Sequence, residues 1–329
     1  AHPEVHRGPP PARRRGDPPR GGPLTSVEKG ILLPAEKRHI GMVFQSYAIW
    51  PHMTVAQNVA YPLEVRRLPR AQTRGIVAEA LRRVRMLEFL DKPATQLSGG
   101  QQQRVAVARA IVFNPRLLLF DEPLSNLDAK LREQVRVELT RLQHELGITS
   151  IYVTHDQAEA MVLSDRIVVM SKGRIQQEGD AHAIYAKPAN RFVSEFIGVA
   201  NILSGHLVEV DGEWGMAEVK NGEGSHRFRC LLAGGFAPGE PVALSIRPEN
   251  VSIAPVGEAG RAAASSEGGE PNRIRGQVQD AIFLGNYTDC RVRWGHYEWK
   301  VQVHHRRRFR AGEGVHLSVR PEHCLGLKP

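Results

Sequence analysis

Short apolar runs recur along the first part of the chain: RHIGMVF (38–44), RLLLF (116–120), TSIYVTH (149–155) and DRIVVM (165–170). Each has the length of a buried strand. Between them the apolar period lengthens. In AQTRGIVAEALRRVRMLEFL (71–90), Ile76, Val77, Ala80, Leu81, Val84 and Leu87 recur at the i, i+3/i+4 spacing of an amphipathic helix. LDAKLREQVRVELTRLQHEL (127–146) is a second helix, and Thr54 can cap a third that begins VAQNV. Strands alternating with helices predict an α/β domain from Ile31 to about Gly198, with a mainly parallel sheet covered on both faces.

Beyond Asn201 the pattern shortens to strands and turns such as HLVEV, EWGMAEV, HRFRCLL and PVALSIRP. VALSIRPENVSI (242–253) returns as VHLSVRPEHCLG (315–326), and NILSGHLVEV (201–210) is echoed more weakly by NRIRGQVQDA (272–281). Two copies at nearly equal offset predict a duplicated small β unit, paired barrels rather than a solenoid. PVGEAGRAAASSEGGEP (255–271) reads as a flexible connector between the copies. At the other end, the Pro- and Gly-rich text of residues 1–24 has almost nothing to bury, and a disordered or aberrant leader is expected over 1–30.

Composition narrows the class. Hydrophobic residues are 41% and charged residues 24% of 329, which excludes a fully disordered or collagen-like chain and suits two domains. No stretch approaches the roughly 20 apolar residues of a membrane span. The N-terminal text has no apolar h-region, so no signal peptide is expected. Cys230, Cys290 and Cys324 are too widely spaced for a disulfide framework or a zinc pattern and fit a reducing compartment. The net charge of +9 would suit nucleic acid or anionic lipid, but only nine of the 44 basic residues are lysine, and an Arg-biased, solvated surface accounts for it more simply.

Candidate chemistry sits at the element boundaries. In LSGGQQQR (97–104), Ser98 can cap a helix whose bare Gly99 and Gly100 amides suit an anion; a plain Gly-rich helix start reads equally well. RLLLFDEP (116–123) ends an apolar strand in Asp121 and Glu122, which point to opposite sides and suit different roles: one holding Mg²⁺ through water, the other orienting or deprotonating a water. The alternative is a solvated acidic turn. Asp128 in SNLD could be no more than a cap. His155 in YVTHDQAEA follows a strand, where an imidazole could meet a phosphate or be structural. Gln45 follows the 38–44 strand and carries almost no information alone.

Order and spacing add what the single motifs lack. Gln45, then LSGGQ, then a strand ending in Asp-Glu, then Asp128, then His155 after the next strand resemble the Q-loop, signature, Walker B, D-loop and H-loop of the ATP-binding cassette (ABC) family, over about Leu33 to Gly198. EKRHIGMVFQSYAIWPHMTVAQNVAYPL and the duplicated tail resemble, more narrowly, importer ATPases for polyamines, ferric iron, sugars or phosphonates, in which such a tail is the TOBE domain. The resemblance implies an ABC-type α/β ATPase domain over 31–198 and an all-β, duplicated small-barrel (TOBE/OB-like) domain over 201–329. It implies ATP and Mg²⁺ sandwiched between two ATPase subunits, a homodimer or a pair with an intact homologue. Ser98, Gly99, Gly100 and Gln101 of one subunit, with Asp128 of the D-loop, would face nucleotide held by the other. Asp121 would serve Mg²⁺, Glu122 would polarise the attacking water, and His155 would brace the γ-phosphate. Gln45 would contact metal or water and report to the permease. Implied partners are two transmembrane permease subunits and, indirectly, an external solute-binding protein, with no nucleic acid; the implied location is peripheral, on the cytoplasmic face of the inner membrane.

One part of the family pattern is missing from this text. The phosphate-cradling G-x-x-x-x-G-K-[ST] belongs upstream of Gln45, and no Gly-Lys dipeptide occurs in the 329 residues. The leader resembles a GC-rich coding segment read in another frame, so a frameshifted or 5′-truncated gene product is expected. On that reading ATPase activity is at background, residues 31–198 fold poorly alone, and the β tail folds independently. Two readings outside the enzyme class remain beside it: a catalytically dead pairing or regulatory subunit, and, less favoured, a nucleic-acid-directed ABC protein.

Overall fold

The computed structural model describes residues 23–257 and 270–329. Most of the expected leader and most of the 255–271 connector lie outside the described residues. The chain divides into two units, Ala1–Leu163 and Ser164–Pro329.

The first unit opens with a small antiparallel hairpin, β1 (Thr25–Ser26) and β2 (Ile31–Leu32). Then come β3 (Ile40–Val43), α1 (Val55–Val65), α2 (Arg70–Arg83), α3 (Gly99–Ile111), β4 (Leu117–Asp121), α4 (Ala129–Leu146), β5 (Ser150–Val153) and α5 (Gln157–Leu163). Thr54 caps α1 through a capping box with Gln57, each side chain meeting the other's backbone N–H. The amphipathic pattern over 71–90 gives a helix that ends earlier than its period: Arg85 turns into the left-handed region (φ 57°), and the Met86 N–H closes back on the Leu81 carbonyl at 2.8 Å.

Strands β3, β4 and β5 form a parallel sheet in that order. Its register aligns Val43, Phe120 and Tyr152 on one face, which packs into a core shared with α1, α2 and α3. The opposite face carries Met42, Leu119 and Ile151, with Val153 one pair further along, and it is open: Ile151 and Val153 are 52% and 55% exposed. Cover on both faces was expected, and among the described residues only one face has it. The apolar run 165–170 forms a strand but does not join this sheet. As β6 (Ile167–Ser171) it pairs antiparallel with β7 (Arg174–Gly179) in a hairpin of the second unit.

After that hairpin the second unit continues with α6 (Ala181–Ala186), α7 (Arg191–Phe196), β8 (Asn201–Asp211), β9 (Trp214–Lys220), β10 (Ser225–Leu232), β11 (Pro241–Ile246) and β12 (Val251–Pro255). The second copy follows as β13 (Asn272–Phe283), β14 (Tyr287–Trp294), β15 (Tyr297–His304), β16 (Gly314–Val319) and β17 (Leu325–Leu327). The copies exchange their last strands. The closed barrel runs β10-β17-β11-β8-β9, so it holds β17 of the second copy, while the five-stranded sheet β12-β16-β13-β14-β15 holds β12 of the first. Duplication is therefore correct, but neither copy is complete without the other.

The weak sequence echo has a physical cause. Asn201 of the first copy clamps β15 by a two-way bond with Lys300 backbone (2.9 and 2.7 Å), and Asn272 of the second clamps β10 by the same bond with Arg229 backbone (2.9 and 2.7 Å). The echoed glycines are places of close approach. A Cβ at Gly205 would stand 2.5 Å from the Glu218 carbonyl oxygen, and one at Gly276 would stand 2.8 Å from that of Arg293.

Candidate functional site

Because β3, β4 and β5 run parallel and in register, their carboxyl ends fall on one edge. At or just past those ends stand Gln45, the pair Asp121–Glu122, and His155. The structure thus brings together four of the sequence-predicted residues at the end of the sheet where ligands of parallel folds bind. Asp121 is exposed, and among the described residues no ion pair holds it. Glu122 is half-buried and sits in the left-handed region (φ 43°), an uncommon backbone for a non-glycine residue. That backbone is held from two sides. The Glu122 N–H donates to the Val153 carbonyl (2.9 Å), and the Glu122 carbonyl accepts from both the N–H (3.2 Å) and the hydroxyl (2.8 Å) of Ser125.

The strained turn aims the Glu122 carboxylate at His155, whose Nδ1 lies 3.1 Å away. The hydrogen bond to Glu122, followed by its charge, raises the His155 pKa above the ordinary 6.5. His155 is itself largely solvent-exposed, so the contact is a local switch rather than a source of stability. The sign follows directly. A raised histidine pKa means that the protonated ring is favoured, so the contact is full at low pH and weakens as pH rises through the raised value. NMR titration of the His155 ring is expected to give a pKa above 6.5, and Glu122→Gln is expected to bring it back toward that value. An unchanged midpoint in the variant would mean that the two side chains do not meet in solution.

The remaining predicted residues stand elsewhere. Ser98 caps α3 in a capping box with Gln101: the Gln101 N–H donates to the Ser98 hydroxyl (3.4 Å), and the Ser98 N–H donates to the Gln101 side chain (2.9 Å). Those bonds close on the helix itself, leaving Gly99 and Gly100 partly exposed in its first turn. Asp128 precedes α4, and its carbonyl accepts the Arg132 N–H at 2.8 Å. None of the hydrogen bonds of Ser98 or Gln101 reaches the cluster at the strand ends.

Three positioning residues escaped the sequence reading. Asn126, inside the SNLD text, donates from its side chain to the Gln45 carbonyl (2.9 Å) and so ties the loop after β4 to the loop after β3. Arg109, near the end of α3 and 8% exposed, donates to the Tyr47 (2.7 Å) and Ala48 (2.6 Å) carbonyls and lies 4.7 Å from the Trp50 ring centre. Tyr47 and Ala48 are both left-handed (φ 59° and 47°), a shape the guanidinium holds in place. A lone charge inside the apolar VAVARAIVF was the available signal. Glu159 is buried behind His155. It accepts the Thr154 hydroxyl (2.7 Å), while Asp156 caps α5 through Ala158 and Glu159 N–H groups and pairs with Arg132 at 3.6 Å.

Comparisons with known proteins give the family. The family model described as ABC transporter matches residues 21–125, and that described as TOBE domain matches residues 233–327. A spermidine/putrescine import ATP-binding protein PotA of Rubrobacter xylanophilus is 42% identical over 303 residues, covering 90% of this chain and 76% of the relative. The chain belongs to the ABC transporter family. A PotA of Acetivibrio thermocellus is 41% identical over 289 residues (88% of this chain, 75% of the relative), and a PotA 1 of Pseudomonas aeruginosa is 41% identical over 309 residues (92% and 80%). The ABC transporter match covers Gln45, Ser98–Gln101 and the Asp121–Glu122 pair, and it ends before Asp128 and His155.

Proposed function

We propose that this chain is the ATP-binding subunit of an importer for polyamines, working as one of a pair of ATPase subunits against two transmembrane permease subunits. The observation that carries the reading is the alignment of Gln45, Asp121, Glu122 and His155 at one sheet edge, with Glu122 held in a strained backbone and aimed at His155. The relatives' names supply the solute class. Among the described residues no helix is long and apolar enough to cross a membrane, which suits a subunit attached to the cytoplasmic face through its permease.

Asp121, exposed at the end of β4, is a hard oxygen ligand that fits Mg²⁺ through water. Bound Mg²⁺-ATP supplies the electrophilic γ-phosphate. Glu122 orients the attacking water and takes up its proton, and His155, hydrogen-bonded to Glu122, holds that carboxylate in place and faces the phosphate. Gln45 senses the occupied edge and passes the change into its own loop, which Asn126 and Arg109 anchor. Ser98 and the Gly99 and Gly100 amides complete the partner subunit's site, because within one chain they do not meet the carboxylates.

The capped start of α3, whose bonds close on its own helix and do not meet the carboxylates, favours a second reading, a pairing subunit that completes the site of an intact relative. ATP turnover separates the two. The chain alone is expected to hydrolyse ATP at background. Mixed with the Rubrobacter relative after the relative's own signature serine has been replaced by glutamate, so that the relative alone is inactive, it is expected to support turnover that falls about 100-fold with Ser98→Glu and is insensitive to Glu122→Gln, because the working site then uses this chain's signature and the relative's acid. Robust hydrolysis by the chain alone that Glu122→Gln abolishes would establish the first reading and remove the second. No turnover in either sample, despite folded protein, would count against both.

A further inference from the structure

We propose that Arg132, which lies outside the candidate site motifs, is a positioning residue for His155: it ties the turn that carries His155 to the 125–128 loop at the start of α4. The proposal rests on the ATP-binding reading for what His155 does there, while the contacts that carry it involve neither nucleotide nor solute.

The place of Arg132 in its helix is the first observation. It lies in the first turn of α4, and its N–H donates to the Asp128 carbonyl at 2.8 Å. The N-terminal end of a helix carries a partial positive charge, so a cation there is disfavoured unless other groups hold it. Two groups do. One arm of the guanidinium reaches back past the helix start and donates to the Leu127 carbonyl at 2.9 Å. The other arm pairs with the Asp156 carboxylate at 3.6 Å. Both side chains of the pair are partly buried, which limits its screening by salt.

Each arm ends on a segment fastened to the strand-end cluster. In the 125–128 loop, the Ser125 N–H and hydroxyl donate to the Glu122 carbonyl, and the Asn126 side chain donates to the Gln45 carbonyl. On the other side, the Asp156 carboxylate accepts the Ala158 (2.8 Å) and Glu159 (3.2 Å) N–H groups. The Asp156 N–H donates to the Thr154 hydroxyl (2.9 Å), which donates in turn to buried Glu159 (2.7 Å). His155 thus stands between two fixed neighbours. Those bonds lie within residues 154–159, and Arg132 joins that turn to the loop. With the 3.1 Å contact of His155 and Glu122, the path from Ser125 through Leu127, Arg132, Asp156, His155 and Glu122 closes into a ring. A displacement of the loop is therefore passed to the His155 backbone by a two-armed, charged side chain.

Hydrogen exchange of the full chain, with and without Asp156→Asn, tests the link. Asparagine keeps the oxygen that caps α5 and removes the charge that Arg132 pairs with. The variant is expected to speed exchange about threefold over residues 125–128, which Asp156 meets through Arg132. In an Arg132→Ala background the same substitution is expected to add nothing there. NMR of the His155 ring gives a second readout. Its signals are expected to move in Arg132→Ala and to return in Arg132→Lys, which keeps a cation for Asp156. Exchange over 125–128 is expected to stay fast in both, since lysine lacks the second arm. Unchanged exchange over 125–128 in Asp156→Asn would overturn the proposal. So would an equal rise in the Arg132→Ala background, or ring signals and loop exchange that recover together in Arg132→Lys, since either would mark Arg132 as general packing. Neither readout needs turnover, so the link is decided even in a chain that hydrolyses no ATP, and its failure leaves the ATP-binding reading standing.

Discussion

Replacing Arg247 by alanine is expected to destabilise the second unit by about 3 kcal/mol or more, lowering its melting temperature by about 6–12 °C, while the same change at Arg320 stays within about 0.5 kcal/mol. The two arginines occupy the same place in two copies of one motif, so propensity and local sequence cancel in the comparison. What differs is what each guanidinium meets. Arg247 satisfies the Ser194, Val199 and Tyr185 carbonyls out of reach of water, and without it those acceptors lose their charged donor inside the protein. A buried acceptor left unpaired costs about 1–3 kcal/mol, and the stacked Tyr185 ring loses its partner as well. Arg320 is in water and gives up one long contact with Glu322. Thermal melts followed by the fluorescence of Trp214, Trp294 and Trp299 report the second unit. Equal shifts for the two variants would refute the contrast.

Arg109→Ala is the second large effect. It removes two short charge-assisted bonds, to Tyr47 and Ala48, from a group whose pKa burial has already pulled down. A loss of about 3–5 kcal/mol is expected, a large share of the roughly 5–15 kcal/mol that a domain has. The local consequence is more specific than the global one. Two consecutive left-handed residues, Tyr47 and Ala48, lose what holds them, so hydrogen exchange should rise first over residues 44–50, before the rest of the first unit. Arg109→Lys keeps the charge but cannot fork to two carbonyls, and it should recover part of the stability. Exchange that rises uniformly over the unit would show that Arg109 is ordinary core packing rather than a tie between the signature helix and the loop after β3.

Much of this arrangement is legible in the residues. Apolar runs located the strands, and the order of Gln45, LSGGQ, Asp-Glu, Asp128 and His155 marked the candidate site residues, because those features are local in sequence. The weak Asn-x-x-x-Gly echo at 201 and 272 was also visible, but its meaning was not. An asparagine that clamps a strand of the other copy depends on a pairing between residues 99 or 43 positions apart, which no local pattern encodes. Arg109 was overlooked for a related reason: its acceptors are backbone carbonyls, and any residue has one.

The sequence by itself determined the family, the order of the candidate site motifs and the duplication, since each rests on residue types at fixed spacing. Tertiary structure alone decided that DRIVVM leaves the parallel sheet for a hairpin in the second unit, that among the described residues the sheet has one open face, and that the copies trade their last strands. It also decided that Arg247 of the first Arg-Pro-Glu turn is buried against three carbonyls while Arg320 of the second is half exposed. The reason is that strand pairing and burial are settled by whichever distant segment best satisfies backbone hydrogen bonds and apolar surface, and that competition is not written into any single stretch of the chain.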